Sequence, residues 1–385
     1  RRRDYSIDFM RVILFSCVVM VHTVGTINQG PDIARQMWLL SLLMHYTRYG
    51  FVFVTVYVLF LGYYRKDTRP VTFWRRRFGL VVLPYLVWSV TYSVWNPLVV
   101  SQNGWPGIGN VARDTVLQIL KGDAKYQMYF LLISMQLYFF FPVLRWVVKR
   151  TEGHHGKLFA AGAVIQVAMM IWLTVLPAPD GFLGLVHRHA WKFLPTYALL
   201  ITIGALAAVH QKRAHAWFTN HVRLLTPLIV LGTAITVGVY WYQTGHGVRP
   251  ANAASAAYPT LLPWVLASIV GLYLIAAKWN KRRGDGSGIV AKIVDLGSVR
   301  AFGVFAAHPL VIDTLLQLGL GDWLETHIPG STLVRSLLLV AATFAVTIAL
   351  VEVLLRTPVS KALVARSPLP FRAKPKPTPA ETSAA

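Results

Sequence analysis

Long apolar runs, separated by short polar and basic segments, recur along almost the whole 385-residue sequence. A helix needs about 20 mainly apolar residues to cross the hydrocarbon core of a bilayer. Ten runs come near that length, and they cover residues 9–27, 37–64, 78–100, 128–148, 157–177, 192–209, 222–243, 259–279, 301–320 and 332–355. The pattern predicts an all-α polytopic membrane protein, with ten transmembrane helices in one domain over residues 1–360.

The basic residues are concentrated in alternate loops. Of the 38 Lys and Arg, 28 lie in segments on the side of the two termini and 7 lie in the opposite loops. Because short cytoplasmic loops carry the excess of Lys and Arg, both termini are predicted to be cytoplasmic. This distribution accounts for most of the net charge of +23, so no nucleic-acid partner is predicted. Residues 361–385, rich in Pro, Lys and Ala, are predicted to form a disordered cytoplasmic tail.

The residue content disfavours several kinds of chemistry. Cys17 is the only cysteine, so an intrachain disulfide or a cysteine zinc cluster is impossible, and no metal site is predicted. The sequence contains no Walker loop, no HExxH motif and no GxSxG elbow. No soluble catalytic domain accompanies the apolar runs, so we expect any chemistry to take place in or beside the helical bundle.

The first apolar run, Phe9 to Ile27, is interrupted by Arg11 and His22. In a helix these two residues lie within about 20° of each other on one face and are separated by about 16 Å along the axis. Charged or titratable groups inside hydrocarbon usually face a cavity or a partner, which makes both residues functional candidates. The alternatives are an Arg11 side chain that extends to the interface and a His22 ring that is packed and hydrogen-bonded.

Further candidates lie near the ends of later runs. Arg75, Arg76 and Arg77 precede the third run, where they form either a phosphate site at a helix start or a positive anchor that contacts anionic lipid. His308 comes directly before Pro309, a residue that leaves one helical carbonyl without its donor. Glu352 lies at a depth similar to that of Arg11, and the two are predicted to face each other in an ion pair that is either structural or catalytic.

A third group is predicted on the opposite side of the membrane. His45 and Arg48 are three residues apart in the second run and share a helix face about midway across. Arg113 and Asp114 lie in the longest loop, and together with nearby tryptophans they could contact a sugar. The tryptophans are better explained by the aromatic belt at the membrane interface.

Four segments resemble the acyltransferase-3 family of integral membrane O-acyltransferases. The opening resembles the family's Asp-x-x-Arg followed ten residues later by His, here Asp8, Arg11 and His22. The other similar segments are FWRRRFGLVVLPYLVWS with the Arg cluster, YFLLISMQLYFFFP from Tyr129 to Pro142, and AFGVFAAHPLV with Gly303, His308 and Pro309. The resemblance runs in order over residues 5–357. Ala301, Phe302 and Phe305 depart from the family pattern, which has hydroxyl-bearing residues there, and Glu352 is followed by LLRTP.

The resemblance implies transfer of an acyl group, most often acetyl, from cytoplasmic acyl-CoA to a hydroxyl of an envelope glycolipid or glycan outside. Arg75, Arg76 and Arg77 would bind the CoA phosphates, and Arg11 would receive the pantetheine arm. His22 would be the general base, since an imidazole exchanges protons near neutral pH. His308 and Glu352 would orient or support these catalytic residues. The remaining substrate contacts would come from His45, Arg48, Tyr129, Gln136, Tyr138, Arg113 and Asp114.

Two other functions are compatible with parts of the sequence. A transporter or flippase for a glycan or lipid-linked sugar would also use buried charges, although no internal repeat is evident. A membrane acyltransferase of the other polytopic type, with an Asn and His pair, fits the first run less well. The Ala, Val and Arg bias is typical of high-GC actinobacteria, so the expected location is a bacterial cytoplasmic membrane and trehalose mycolate is one candidate acceptor.

Overall fold

A computed structural model describes residues 4–27, 35–101 and 103–370, and the regular structure in these ranges is helical. The α-helices in chain order are α1 Ser6–Ile27, α2 Arg35–Met44, α3 Tyr46–Tyr63, α4 Pro70–Trp95, α5 Ile108–Lys121, α6 Tyr129–Arg150, α7 His155–Thr174, α8 Gly181–His189, α9 Ala198–Val209, α10 Gln211–Asn220, α11 Val222–Gly245, α12 Pro250–Ala253, α13 Leu262–Arg282, α14 Ile289–Gln317, α15 Leu320–His327, α16 Thr332–Leu354 and α17 Ser360–Val364. The prediction of a polytopic all-α membrane protein is confirmed.

Nine helical stretches within the described residues are long and apolar enough to cross a membrane. Each overlaps one of the predicted runs. Most of the remaining run, 301–320, lies in α14, which ends at Gln317 and is not among the nine although its 29 residues extend over about 44 Å. The count of ten spans and the cytoplasmic location of both termini therefore stay predictions.

Two of the predicted spans are interrupted. The second breaks at His45, between α2 and α3, and the sixth contains two short 3-10 turns between α8 and α9, Ala190–Lys192 and Leu194–Tyr197. Both interruptions lie beside the same cavity, which the next section describes. Irregular backbone at membrane depth is tolerated where it is enclosed by protein or lines a cavity.

The start of the third span differs from the prediction. Helix α4 begins at Pro70, whose missing N–H costs nothing at the first helical position, so the Arg75–Arg77 cluster lies inside the helix. The three side chains therefore point in different directions around one helix instead of forming a common patch before it.

Helix α1 lies at the centre of the fold, where it packs against α3, α13, α14 and α16. Its residues Met10 and Leu14 are fully buried, because neighbouring helices surround this part of α1 on several sides. The functional candidates on α1 are consequently held by a rigid element in the middle of the protein.

The segment after α16 returns to the bundle. The Trp88 indole donates a hydrogen bond of 2.8 Å to the Leu363 carbonyl, and the Leu369 amide donates one of 2.7 Å to the Leu355 carbonyl. The predicted boundary at residue 360 falls at the first residue of α17, and residues 361–370 lie against the protein. The rest of the predicted tail, 371–385, lies outside the described residues.

Candidate active site

A cavity of about 450 Å³ lies near the end of α1 that carries His22. We call it the outer cavity, following the predicted orientation of the chain. Helices α1 to α3, the start of α6 and the loop between α5 and α6 form its wall. The polar and aromatic residues that line it are His22, Ser41, His45, Thr47, Arg48, Phe51, Asp123, Lys125, Tyr126, Gln127, Tyr129, Phe130, Trp191 and Phe305.

Two histidines from opposite ends of the sequence meet beside this cavity. The His22 ring on α1 is stacked on the His308 ring on α14, with 5.5 Å between the centroids. The Tyr126 ring also packs against the His22 ring, with 4.2 Å between the centroids. The structure thus brings together the two histidines that the sequence analysis selected separately.

His308 is fully buried, and its hydrogen bonding identifies one nitrogen as an acceptor. Its Nδ1 lies 3.0 Å from the Val304 carbonyl oxygen, and because a carbonyl only accepts, Nδ1 must carry the proton. In the neutral ring Nε2 then holds a lone pair, and this buried atom has no hydrogen-bond partner within the described part of the chain. An unpaired buried acceptor is costly, so it marks a position prepared for a polar partner.

An ion pair stands beside the two histidines. Lys125 Nζ lies 2.6 Å from Asp313 Oδ2, and both side chains are only about a tenth exposed. The same ammonium donates a hydrogen bond of 3.1 Å to Asn96 and lies 5.7 Å from the centre of the Tyr126 ring. Lys125 therefore fixes the loop that presents Tyr126 to His22.

Tyr126 and Lys125 were missed by the sequence analysis. They belong to the short polar stretch Gly122–Gln127, which has no helical or strand periodicity and precedes the fourth apolar run. Burial, followed by the nearby Tyr92 and Asp313, raises the pKa of the Tyr126 hydroxyl well above its usual value, so the group is neutral at physiological pH. The only available signal was charged and aromatic residues in a loop close to a predicted span.

A second cavity, of about 200 Å³, lies toward the start of α1, and we call it the inner cavity. Its polar lining consists of Arg11, Thr55, Arg77, Ser134 and Tyr138. The Arg77 guanidinium lies 5.0 Å from the centre of the Tyr63 ring, and its buried Nε has no hydrogen-bond partner among the described residues. Two guanidinium groups from different helices thus point into one partly enclosed space.

Four phenylalanines separate the inner cavity from the outer cavity. Phe51, Phe130 and Phe305 line both cavities. Together with Phe15 they form a closed ring of contacts, with centroid distances of 4.7 Å for Phe15–Phe51, 5.3 Å for Phe51–Phe130, 5.8 Å for Phe130–Phe305 and 6.0 Å for Phe305–Phe15. We call this set the phenylalanine ring. It lies between the cavity that contains Arg11 and the cavity that contains His22.

A third cavity, of about 290 Å³, is adjacent to the inner cavity. Tyr63, whose ring contacts the Arg77 guanidinium, is part of its wall. The other residues of this wall are Asp67, Thr68, Pro70, Phe73, Phe141, Pro142, Arg145, Trp146 and Lys149. Aromatic faces next to cationic side chains suit a ligand that has both a planar ring and phosphate groups.

Several predicted site residues lie elsewhere. Arg75 and Arg76 are exposed on α4 and line neither cavity, and Arg113 and Asp114 are exposed on α5. The predicted pair of Arg11 and Glu352 is wrong, because Glu352 bonds Arg300 at 2.5 Å and also bonds Arg356. Arg300 lies on α14 and Arg356 follows the end of α16, and the Glu352 side chain is a third exposed, so the carboxylate is used near the protein surface.

The remaining predicted substrate contacts divide between the two cavities. Tyr129 lies in the outer cavity beside Arg48, whereas Tyr138 lies in the inner cavity with Arg11. Gln136 donates a hydrogen bond of 2.9 Å to the Lys192 carbonyl and lines neither cavity. Its role in the described structure is to hold the interrupted segment between α8 and α9 against α6.

Comparison with known families gives one match. A family described as an acyltransferase domain, the acyltransferase-3 family, matches residues 4–352, nearly the whole chain. No curated protein and no solved structure matches the chain. The matched range includes both cavities and all of the residues that separate them.

Proposed function

The chain belongs to the acyltransferase-3 family of integral membrane O-acyltransferases, and on that premise we propose that it transfers an acyl group, most simply acetyl, across the membrane. The proposed donor is acyl-CoA on the cytoplasmic side. The proposed acceptor is a hydroxyl of an envelope glycolipid or glycan outside a bacterial cytoplasmic membrane, with trehalose mycolate as one candidate.

One observation carries this proposal: two cavities with different chemistry lie on either side of the phenylalanine ring. The inner cavity offers two guanidinium groups, Arg11 and Arg77, and the outer cavity offers imidazoles. A donor with an anionic head and a long neutral arm matches such an arrangement. The head would stay at the inner side while the arm extends toward His22.

The residues at the inner side fit the nucleotide part of acyl-CoA. The buried Arg77 Nε has no hydrogen-bond partner among the described residues, and a phosphate oxygen would provide one. In the adjacent third cavity, Trp146 would stack on the adenine ring, and Arg145 and Lys149 would bind further phosphate groups. We therefore assign donor binding to Arg77, with Arg11 close to the arm, and give Arg75 and Arg76 no part in it.

The outer cavity supplies the base. In the proposed reaction the acceptor hydroxyl gives its proton to a ring nitrogen of His22, and its oxygen forms a bond to the thioester carbonyl carbon. The carbon–sulfur bond then breaks, the leaving thiolate takes the proton from the imidazolium, and the products are the O-acyl ester and free CoA thiol. Thioester to ester exchange is nearly balanced in free energy, so no ATP is needed.

His308 would act as a positioning residue in this scheme. Its Nε2 has no hydrogen-bond partner among the described residues, and the His308 ring lies 5.5 Å from the His22 ring and 6.3 Å from the Tyr126 ring between centroids. In the proposed reaction this nitrogen would accept a hydrogen bond that selects the reactive tautomer of His22. This role resembles the way a second group orients a catalytic imidazole in other enzymes.

The replacement His22→Ala tests the proposal. Inside-out membrane vesicles carry the cell's own acceptor and expose the cytoplasmic face, so labelled acetyl-CoA can be added directly. Loss of a general base typically reduces the rate by about 10²- to 10⁴-fold, and we expect label incorporation and CoA thiol release to fall together.

The matched control is His327→Ala, because this exposed histidine on α15 lines neither cavity. Wild-type incorporation by correctly folded His22→Ala protein would exclude His22 as the base. Movement of acceptor across the membrane without any CoA release would instead support a transporter.

A further inference from the structure

Arg48 occupies a special position in the wall of the outer cavity. It lies on α3 one turn after the break at His45, so its side chain enters the same cavity as His22. Its guanidinium carbon lies 5.2 Å from the centre of the Tyr129 ring and 5.1 Å from the centre of the Trp191 ring. These two rings contact each other at 4.6 Å and form an aromatic corner around the cation.

The other cations near this cavity are already neutralised by acids. Lys125 pairs with Asp313, and Lys192 pairs with Asp123. No ion pair among residues 4–27, 35–101 and 103–370 includes Arg48. Asp123, which lines the outer cavity, and Asp313 are therefore both paired with lysines, and Arg48 keeps its positive charge available.

Such a charge is expensive to keep inside a membrane protein. Aromatic faces compensate a cation only in part, and the Tyr129 and Tyr197 hydroxyls that accept hydrogen bonds from Arg48 are neutral, whereas an anion also supplies the counter-charge. A buried cation of this kind in a ligand cavity is explained best if the ligand itself brings the counter-charge. The aromatic corner beside it offers a stacking surface for a sugar ring.

We propose that the acceptor carries an acid group, a carboxylate or a phosphate, which binds Arg48 while its sugar ring stacks on Trp191. This inference rests on the proposed function and specifies the acceptor class. A single cavity of about 450 Å³ holds both Arg48 and His22, so the acid group would orient one hydroxyl of the same molecule toward the base. Trehalose mycolate, the candidate acceptor given above, is neutral and would leave Arg48 without a counter-charge, so this inference argues against it.

The test measures binding in the absence of any acyl donor, so it does not depend on catalysis. The purified full chain in detergent is titrated with glucuronate, glucose 6-phosphate or glucose, and quenching of tryptophan fluorescence reports binding near Trp191. We expect wild-type protein to bind at least one acid sugar about tenfold or more tightly than glucose, which corresponds to about 1.4 kcal/mol. The two acid sugars distinguish a carboxylate from a phosphate.

Two variants complete the experiment. In Arg48→Gln the acid sugar should lose its advantage over glucose, whereas Arg48→Lys should retain part of it because the charge remains. Arg249→Gln, at an exposed position in the loop before α12, controls for general loss of positive charge on the outer side.

Three results would overturn the proposal: equal binding of glucose and both acid sugars, no binding of either acid sugar, or an unchanged preference in folded Arg48→Gln protein. Each would assign Arg48 to structural contacts alone, namely cation–π packing and its hydrogen bonds to Tyr129 and Tyr197. Failure of acyl transfer with intact acid-sugar binding would instead count against the proposed reaction and leave this inference in place.

Discussion

At the scale of single residues, neighbours in the sequence have different environments. Residues 75 to 77 are all arginines, but Arg77 lines the inner cavity, whereas Arg75 and Arg76 are exposed. The reason is geometric, since successive residues of an α-helix point about 100° apart. Only the packing of α4 against its neighbours decides which of the three directions faces the interior.

The three arginines therefore give a sharp prediction. A hydrogen bond to a charged group contributes about 1.5–3 kcal/mol, so Arg77→Gln should raise the KM for acetyl-CoA about 10- to 100-fold. The expected effect on kcat is smaller, because the guanidinium lies far from the reacting atoms. Initial rates of CoA thiol release in vesicles provide both constants.

Arg75→Gln is the matched control, and its KM should stay close to the wild-type value. Equal effects of the two replacements would show that the cluster acts through its total charge, as a topological anchor or lipid contact. In that case the unpaired Arg77 Nε would have no bearing on donor binding.

At the scale of elements, the close packing of α3 and α9 holds the outer cavity in shape. An added Cβ at Gly204 on α9 would approach the Phe53 carbonyl oxygen on α3 to 2.8 Å and the Val56 Cβ to 3.2 Å. Glycine is thus needed for the two backbones to lie this near each other. Helix α3 carries Arg48, so the position of that guanidinium depends on this contact.

Replacing Gly204 should loosen the pair of helices. Forcing extra atoms into a packed interface usually costs about 1–3 kcal/mol, so Gly204→Ala should lower the apparent Tm in detergent. Gly238→Ala on α11 is the control, since its Cβ would meet no atom within 4 Å. Identical Tm values for the two variants would contradict the tight contact between α3 and α9.

At the scale of the whole molecule, the protein combines a cationic inner cavity with an imidazole-bearing outer cavity and keeps them apart. In the proposed reaction the phenylalanine ring would have to open for the donor arm to reach His22. Its four members come from α1, α3, α6 and α14, so opening requires these helices or their side chains to move together. A closed ring would also keep water on the outer side away from a waiting thioester.

A mutation that opens the phenylalanine ring should increase hydrolysis of the acyl-CoA thioester without transfer of the acyl group to the acceptor. Phe130→Leu removes part of a side chain that lines both cavities, and we expect more CoA release per acyl ester formed than in wild type. Phe182→Ala, which changes a side chain that is 76 % exposed, is the control. An unchanged ratio of CoA released to ester formed would show that these rings do not form the barrier.

The sequence alone was sufficient to locate the apolar segments that form the long helices, although not the breaks inside two of them or the start of α4. Apolar runs of about 20 residues identified the membrane class, because each helix must satisfy its backbone hydrogen bonds internally. The 3.6-residue period also placed Arg11 and His22 on one face of α1 at two depths. In the structure these residues do line two different cavities along that helix.

Only the tertiary structure decided which groups from distant segments meet. The stacking of His22 on His308, the pairing of Lys125 with Asp313 and the choice of Arg300 and Arg356 by Glu352 all join different elements or neighbouring turns. Such contacts depend on how helices pack and on which charge finds a nearer partner. Hydropathy and spacing along one segment contain no information about either, and for that reason the sequence predicted the helices better than it predicted their meeting points.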